Sequence, residues 1–90
     1  MRRITWDQPK RLANLEKHSL DLADAELFDW DSAVIVDGHR DRYGKPRFKA
    51  IGQFFGHLAV VIYAELGSEA VAVISFRLAD PAERTLFNDR

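Results

Sequence analysis

Ala70-Val-Ala-Val-Ile-Ser-Phe-Arg-Leu-Ala-Asp-Pro-Ala-Glu-Arg84 passes from a strongly apolar stretch directly into a charged helix start. Side chains on a strand alternate between two faces, so this reading puts Val71, Val73, Ser75 and Arg77 on one side and Ala72, Ile74 and Phe76 on the other. A hydroxyl and a guanidinium then sit together at one strand end. Pro81 has a preset φ and no donor, which suits a first helical position, with Asp80 as N-cap and Glu83 at the third position. A short C-terminal helix follows, carrying Glu83 and Arg84 close to Arg77.

Working outward, Leu58-Ala-Val-Val-Ile-Tyr63 is apolar on both faces and reads as a central strand within His57–Glu65. Arg47–Phe54 alternates, with Arg47, Lys49, Ile51 and Gln53 on one face and Phe48, Ala50, Gly52 and Phe54 on the other. Phe55-Gly56 turns the chain between these two strands. Ala33–Val36 is an earlier strand, separated from Arg47 by a polar loop broken at Gly44 and Pro46. Links this short make consecutive strands antiparallel, because parallel neighbours need long crossovers. Ile4-Thr5-Trp6 is short and β-prone.

Asp7-Gln8-Pro9 predicts a first helix with Leu12 and Leu15 in its stripe, widened by Ala13, and with Arg11, Asn14, Lys17 and His18 on the flanks. Asp21 and Asp24 predict a second helix to about Trp30, burying Leu22, Ala25 and Phe28. The fold class is therefore α+β: two N-terminal helices packed on a four- to five-stranded, mainly antiparallel twisted sheet, with a short C-terminal helix. Ninety residues form one domain, spanning 1–90, with a modest core.

An apolar fraction of 47% with 30% charged residues fits a folded globular chain. The chain has no cysteine, which excludes a disulfide framework, a thiolate metal site and a cysteine nucleophile. No apolar run approaches a membrane span and no signal-peptide core follows Met1, so a cytoplasmic location is expected, with no membrane partner. The net charge of −1 does not announce a nucleic-acid binder, but its distribution is uneven. Arg40, Arg42, Lys45, Arg47 and Lys49 face only Asp41 between His39 and Lys49, whereas residues 21–31 hold five acids and no base. Two readings stay open: a phosphate-binding edge opposite a face for a basic partner, or two solvated faces.

Trp6-Asp7 with Lys10 and Asn14, Lys17-His18, Ala25, Phe28, Arg47-Phe48, Ile51-Gly52, Val60-Val61, Ile74-Ser75, Arg77, Ala79 and Glu83-Arg84 together resemble the BrnT family of bacterial type II toxins. The match runs through almost the whole chain in order. The resemblance implies a fold like that of RelE and ParE toxins, an endoribonuclease that arrests translation, and neutralisation by a BrnA-like antitoxin. That antitoxin is a ribbon-helix-helix DNA-binding protein, so a 2:2 complex contacting operator DNA through the antitoxin is also implied. Four positions depart from the family pattern: Ser19 replaces Gly, Phe76 a small residue, Leu78 a basic residue, and Phe87 an aromatic that is often Tyr.

Cleavage of RNA without a metal requires a base for the 2′-hydroxyl, cations for the charge on phosphorus, and an acid for the leaving oxygen. No His-x-x-x-His or acid-rich ligand spacing is present, and no cofactor is expected. Arg77 and Arg84 are the catalytic cations, since the guanidinium fork grips two phosphate oxygens. A structural pair between Arg77 and Glu83 is the alternative. His18 is the candidate proton carrier, with His39 and His57 not separable from it by spacing. Glu83 is a further catalytic candidate as general base, or else a helix N-terminal residue paired with an arginine. Arg42, Arg47, Lys49 and Ser75 are the RNA-binding candidates. Tyr43, Phe48, Phe54 and Phe55 surround the basic segment and suit base stacking, although Phe48 and Phe54 also suit the core. A catalytically weakened binding module, working with a DNA-binding antitoxin in promoter autoregulation, is the competing function.

Overall fold

The computed structural model describes residues 2–90. Five strands form one sheet: β1 (Arg3–Trp6), β2 (Val34–Asp37), β3 (Phe48–Phe54), β4 (His57–Leu66) and β5 (Ala70–Leu78), in the order β1-β5-β4-β3-β2. The consecutive pairs β2–β3, β3–β4 and β4–β5 are antiparallel, as their short links require. Strand β1 lies parallel to β5, Arg3 opposite Ala70 and Trp6 opposite Val73, the intervening chain serving as a long crossover. Helix α1 (Gln8–His18) follows β1, and α2 (Pro81–Asn88) follows β5. The expected α+β class and its mainly antiparallel sheet are thus present.

The alternation expected along β5 breaks at one residue. Tyr63 pairs with Val73 and Ile62 with Ser75, which leaves Ile74 unopposed in a β-bulge. Val71, Val73 and Phe76 consequently share one core with Ala59, Val61 and Tyr63. Ser75 and Arg77 remain together but lie on the opposite face, paired with Ile62 and Val60, which belong to a second core with Ile51, Ala79 and Phe87. A regular strand would have aimed Arg77 into the first core. The bulge turns it toward α2.

The second helix is also different. Residues Leu22–Leu27 form a 3-10 helix, and Phe28 has returned to extended backbone rather than continuing to Trp30. Leu22, Ala25 and Phe28 are spaced strictly by three, and a helix of three residues per turn stacks them on one line facing the sheet. All three are buried. Asp21 caps the segment through the Ala23 N–H and accepts a guanidinium fork from Arg11 at 2.7 and 2.8 Å, which ties it to α1.

Helix α1 does not bury the stripe expected of it: Leu12 is 55% exposed, while Asn14 is buried. The cause lies in the sheet. Strand β1 ends opposite Val73, so the margin of β5 beyond that residue lacks a strand partner. The Asn14 side chain replaces one: its amide donates to Phe76 O at 2.8 Å and to Leu20 O at 2.7 Å, and its oxygen accepts from Phe76 N–H at 3.1 Å. Both Phe76 backbone groups would otherwise be buried and unpaired, which is costly.

Helix α1 ends at Ser19, whose φ of 61° is left-handed, the position where a C-terminal cap favours glycine. A serine in this conformation therefore carries a conformational strain that glycine would not. Ser19→Gly is expected to raise stability by about 1 kcal/mol, read as a rise in urea midpoint at constant slope. Gly52 answers a different demand: a Cβ there would lie 2.8 Å from the Phe28 ring, so only glycine lets that ring approach the sheet.

Candidate functional site

The N-terminus of α2 is built as its sequence requires. Asp80 accepts from the Glu83 N–H at 2.8 Å, Glu83 accepts from the Asp80 N–H at 2.9 Å, and Pro81 occupies the first turn, which makes a complete capping box. The box fixes the Glu83 carboxylate against the sheet, where only 3% of its side chain is exposed. Arg77 donates both terminal nitrogens to it, at 2.7 and 2.8 Å, and Lys49 Nζ approaches at 2.8 Å. One carboxylate from α2 therefore joins cations from β3 and β5. The face predicted for Lys49 and Ile51 is the one observed, since Ile51 lies in the core beneath α2.

The electrostatics follow from these contacts. The Arg77 hydrogen bonds, aided by the Asp80 N–H and Lys49, pull the Glu83 carboxyl down to about 2 against the cost of burial. Glu83 in turn raises Arg77. A carboxylate so held and so fully engaged is far from the protonation range of a general base near neutrality. The expected pairing of Arg77 with Glu83 is formed, and it leaves Arg77 with capacity: among the described residues nothing accepts from its Nε–H. The Nε and Nη2 side of the guanidinium is thus a second fork suited to an anion.

Arg84 lies on the exposed surface of α2, and its Nη1 donates to Ala79 O at 3.2 Å, while Arg77 Nη1 reaches the adjacent Leu78 O at 3.3 Å. Both heads hang on successive carbonyls of the β5–α2 junction. His18, the last residue of α1, is half-buried, and burial first, then the charges of Lys17 and Arg77, lower its pKa from 6.5. A lowered imidazole is neutral at pH 7 and free to accept a proton.

His18 and Ser75 line a groove of about 230 Å³ between α1 and β5, with Lys10, Ala13, Asn14, Lys17 and Ile74. Arg47 directly precedes β3, its carbonyl accepting from the Gly38 N–H at 2.9 Å, two residues before Lys49. Arg42 stands over the Tyr43 ring at 5.2 Å in the loop, which Asp41 organises by accepting from the Lys45 and Tyr43 N–H groups. Those bonds, the Lys45 one foremost, lower the Asp41 pKa. His39 is exposed in that loop and His57 is exposed at the start of β4. Phe48 and Phe54 pack against the first core, whereas Tyr43 and Phe55 are exposed. Phe87 is buried in the second core. Among the described residues no three His, Asp or Glu side chains gather as a metal site would need.

Lys10 and Lys17, the latter expected only on a flank of α1, are site residues that the motifs of the sequence do not single out. Their seven-residue spacing, with His18 eight residues from Lys10, was the signal that these cations share a helix face.

No curated protein sequence matches the chain. The family model described as "Ribonuclease toxin, BrnT, of type II toxin-antitoxin system" matches residues 6–83. The crystal structure of the Brucella abortus ribonuclease toxin BrnT superposes with a TM-score of 0.72 at 41% identity, covering 89% of this chain and 99% of that one. The capping box at Asp80, its Glu83 and the strand-end Arg77 thus stand within a sequence and a fold that agree, and the chain belongs to the BrnT family of type II toxin-antitoxin ribonuclease toxins.

Proposed function

We propose that this chain is an endoribonuclease toxin that cleaves RNA without a metal, inhibits translation in the cytoplasm, and is neutralised by a BrnA-like antitoxin in a 2:2 complex. The observation that carries the reading is Arg77 anchored end-on by a buried Glu83, with its second fork unpaired and Ser75, on the same face of β5, lining one groove with His18. In the reaction, neutral His18 takes the proton of a ribose 2′-hydroxyl. The 2′-oxygen attacks the adjacent phosphorus, the bond to the 5′-oxygen breaks, and the products are a 2′,3′-cyclic phosphate and a free 5′-hydroxyl. The proton held by His18 is available to the departing oxygen.

Arg77 and Arg84 stabilise the charge that builds on the non-bridging oxygens. Lys49 on β3 and Arg47 just before it extend the positive surface, Ser75 offers a hydroxyl at the groove, and Arg42 reaches flanking phosphates from the loop. Glu83 acts here as a positioning residue. It fixes Arg77 and Lys49 before substrate arrives, which removes a reorganisation cost from the reaction.

Purified protein incubated with total RNA, with and without chelator, tests the proposal. Fragments with cyclic phosphate ends, formed equally in both, are the expected result. Cleavage abolished by chelator refutes the metal-independent mechanism. Intact RNA under both conditions, from protein that still binds its antitoxin, favours the competing binding module.

A further inference from the structure

A helix packed beside a sheet normally turns large apolar side chains toward it at positions i, i+3, i+4, i+7 and i+8. In α1 those positions are Lys10, Ala13, Asn14, Lys17 and His18, and each lines the groove against Ile74 and Ser75 of β5. Leu12 is largely exposed instead. The face that should fill the space is small in the middle and cationic at its ends, so the space stays open. Its volume of about 230 Å³ lies below the roughly 300–1,000 Å³ typical of drug-sized ligand pockets.

Lys10 and Lys17 are about 10 Å apart along the helix axis and bracket the groove. Both are exposed, and among the described residues neither is in an ion pair, unlike their neighbour Arg11, whose fork is closed by Asp21. An unfilled cavity flanked by two free ammonium groups suits a single-stranded polynucleotide, a base or ribose in the cavity with flexible lysines reaching the phosphates on either side. A duplex offers no splayed nucleotide to such a groove. The Asn14 polar atoms are spent on backbone, so Ser75 and His18 are the groups left to meet the inserted nucleotide.

We infer that the α1–β5 groove is a subsite for one nucleotide of single-stranded RNA flanking the cleaved bond, its phosphates held by Lys10 and Lys17. This rests on the reading of the Arg77 region as an RNA-cleaving site, to which Ser75 and His18 connect the groove. Lysines here act as point charges without sequence preference. The subsite therefore selects for strandedness, and the affinity it contributes is lost with salt.

The test measures binding of a 2′-O-methyl RNA oligomer, which cannot be cleaved by 2′-hydroxyl attack, as a single strand and as a duplex over a salt titration. For single strands each phosphate contact contributes about 0.7 to the slope of log affinity against log salt, so Lys10→Gln with Lys17→Gln should lower the slope by about 1.4. Ala13→Leu fills the groove without changing charge. It should weaken single-strand binding about tenfold at unchanged slope and leave duplex binding alone. All three substitutions sit on exposed helix positions, and thermal melting confirms that the fold is retained.

Wild-type protein that cleaves RNA while the double variant keeps the full slope, or while the Ala13→Leu variant binds as wild type does, overturns the subsite and leaves the nuclease reading standing. A double variant that keeps RNA binding but loses an acidic helical peptide assigns the groove to protein docking and also overturns it. Wild-type protein that neither cleaves nor binds RNA overturns both readings.

Discussion

Glu83→Gln is expected to lower the melting temperature by about 15 °C. The carboxylate is buried and meets two cations and one backbone N–H, so removing its charge leaves Arg77 and Lys49 facing each other across a neutral amide. Breaking a buried pair by deleting one partner costs about 3–5 kcal/mol. The depressed carboxyl points to the lower end. A carboxyl ordinarily near 4.5 and held at about 2 in the folded state corresponds to roughly 3 kcal/mol. At about 4–8 °C per kcal/mol for a domain of this size, a shift near 15 °C follows.

The sign of the pH dependence is fixed by the same numbers. Glu83 has its folded pKa depressed, so its contribution is fully present above 4.5 and disappears as pH falls toward about 2. Wild-type stability should therefore decline through that window in urea titrations. The Gln variant should lack this part of the acid limb, because it has no proton to take up. A variant melting within a few degrees of wild type, with the acid limb unchanged, would show that the trio contributes little.

Arg77→Lys is expected to reduce cleavage about 100-fold, in kcat rather than KM, with the fold retained. The ammonium keeps the charge beside Glu83 but has no planar fork, so it cannot hold a carboxylate with one edge and two phosphate oxygens with the other. Loss of a single preorganised transition-state donor typically costs about 10²–10³ in rate. Induced expression gives an independent readout: growth arrest by wild type and growth with the variant. Cleavage within threefold of wild type would mean that the free Nε–Nη2 edge does not touch the reacting phosphate. A structural role alone would appear as a melting shift without the selective fall in kcat.

These two substitutions act on one cluster, and its parts were legible to different degrees. The Asp80-Pro81-x-Glu83 spacing specifies a capped helix start by itself, because the cap involves backbone and side chains within one turn. Alternation through residues 47–54 assigned Lys49 to the face of Ile51 for a similarly local reason. The identity of Glu83's partners was open, since Arg77 and Lys49 lie on separate strands. Even the face of Arg77 depended on how Ile62 and Tyr63 met β5. Leu12 and Asn14 exchanged their expected roles because the margin of β5 beyond Val73 had two backbone groups to satisfy.

Local periodicity, caps and turns were thus determined by the sequence alone: the antiparallel run of β2 to β5, the helix starts at Asp7 and Asp80, and the turn at Phe55-Gly56. Tertiary structure decided the bulge at Ile74, the parallel docking of β1, the 3-10 winding of Leu22–Leu27 and the burial of Asn14. The physical reason is the range of the interactions. A cap or an alternating strand is satisfied by neighbours in the chain, whereas a bulge, an edge pairing or a buried amide is chosen by hydrogen-bonding groups distant in sequence, 62 residues apart for Asn14 and Phe76 and 66 for Thr5 and Val71.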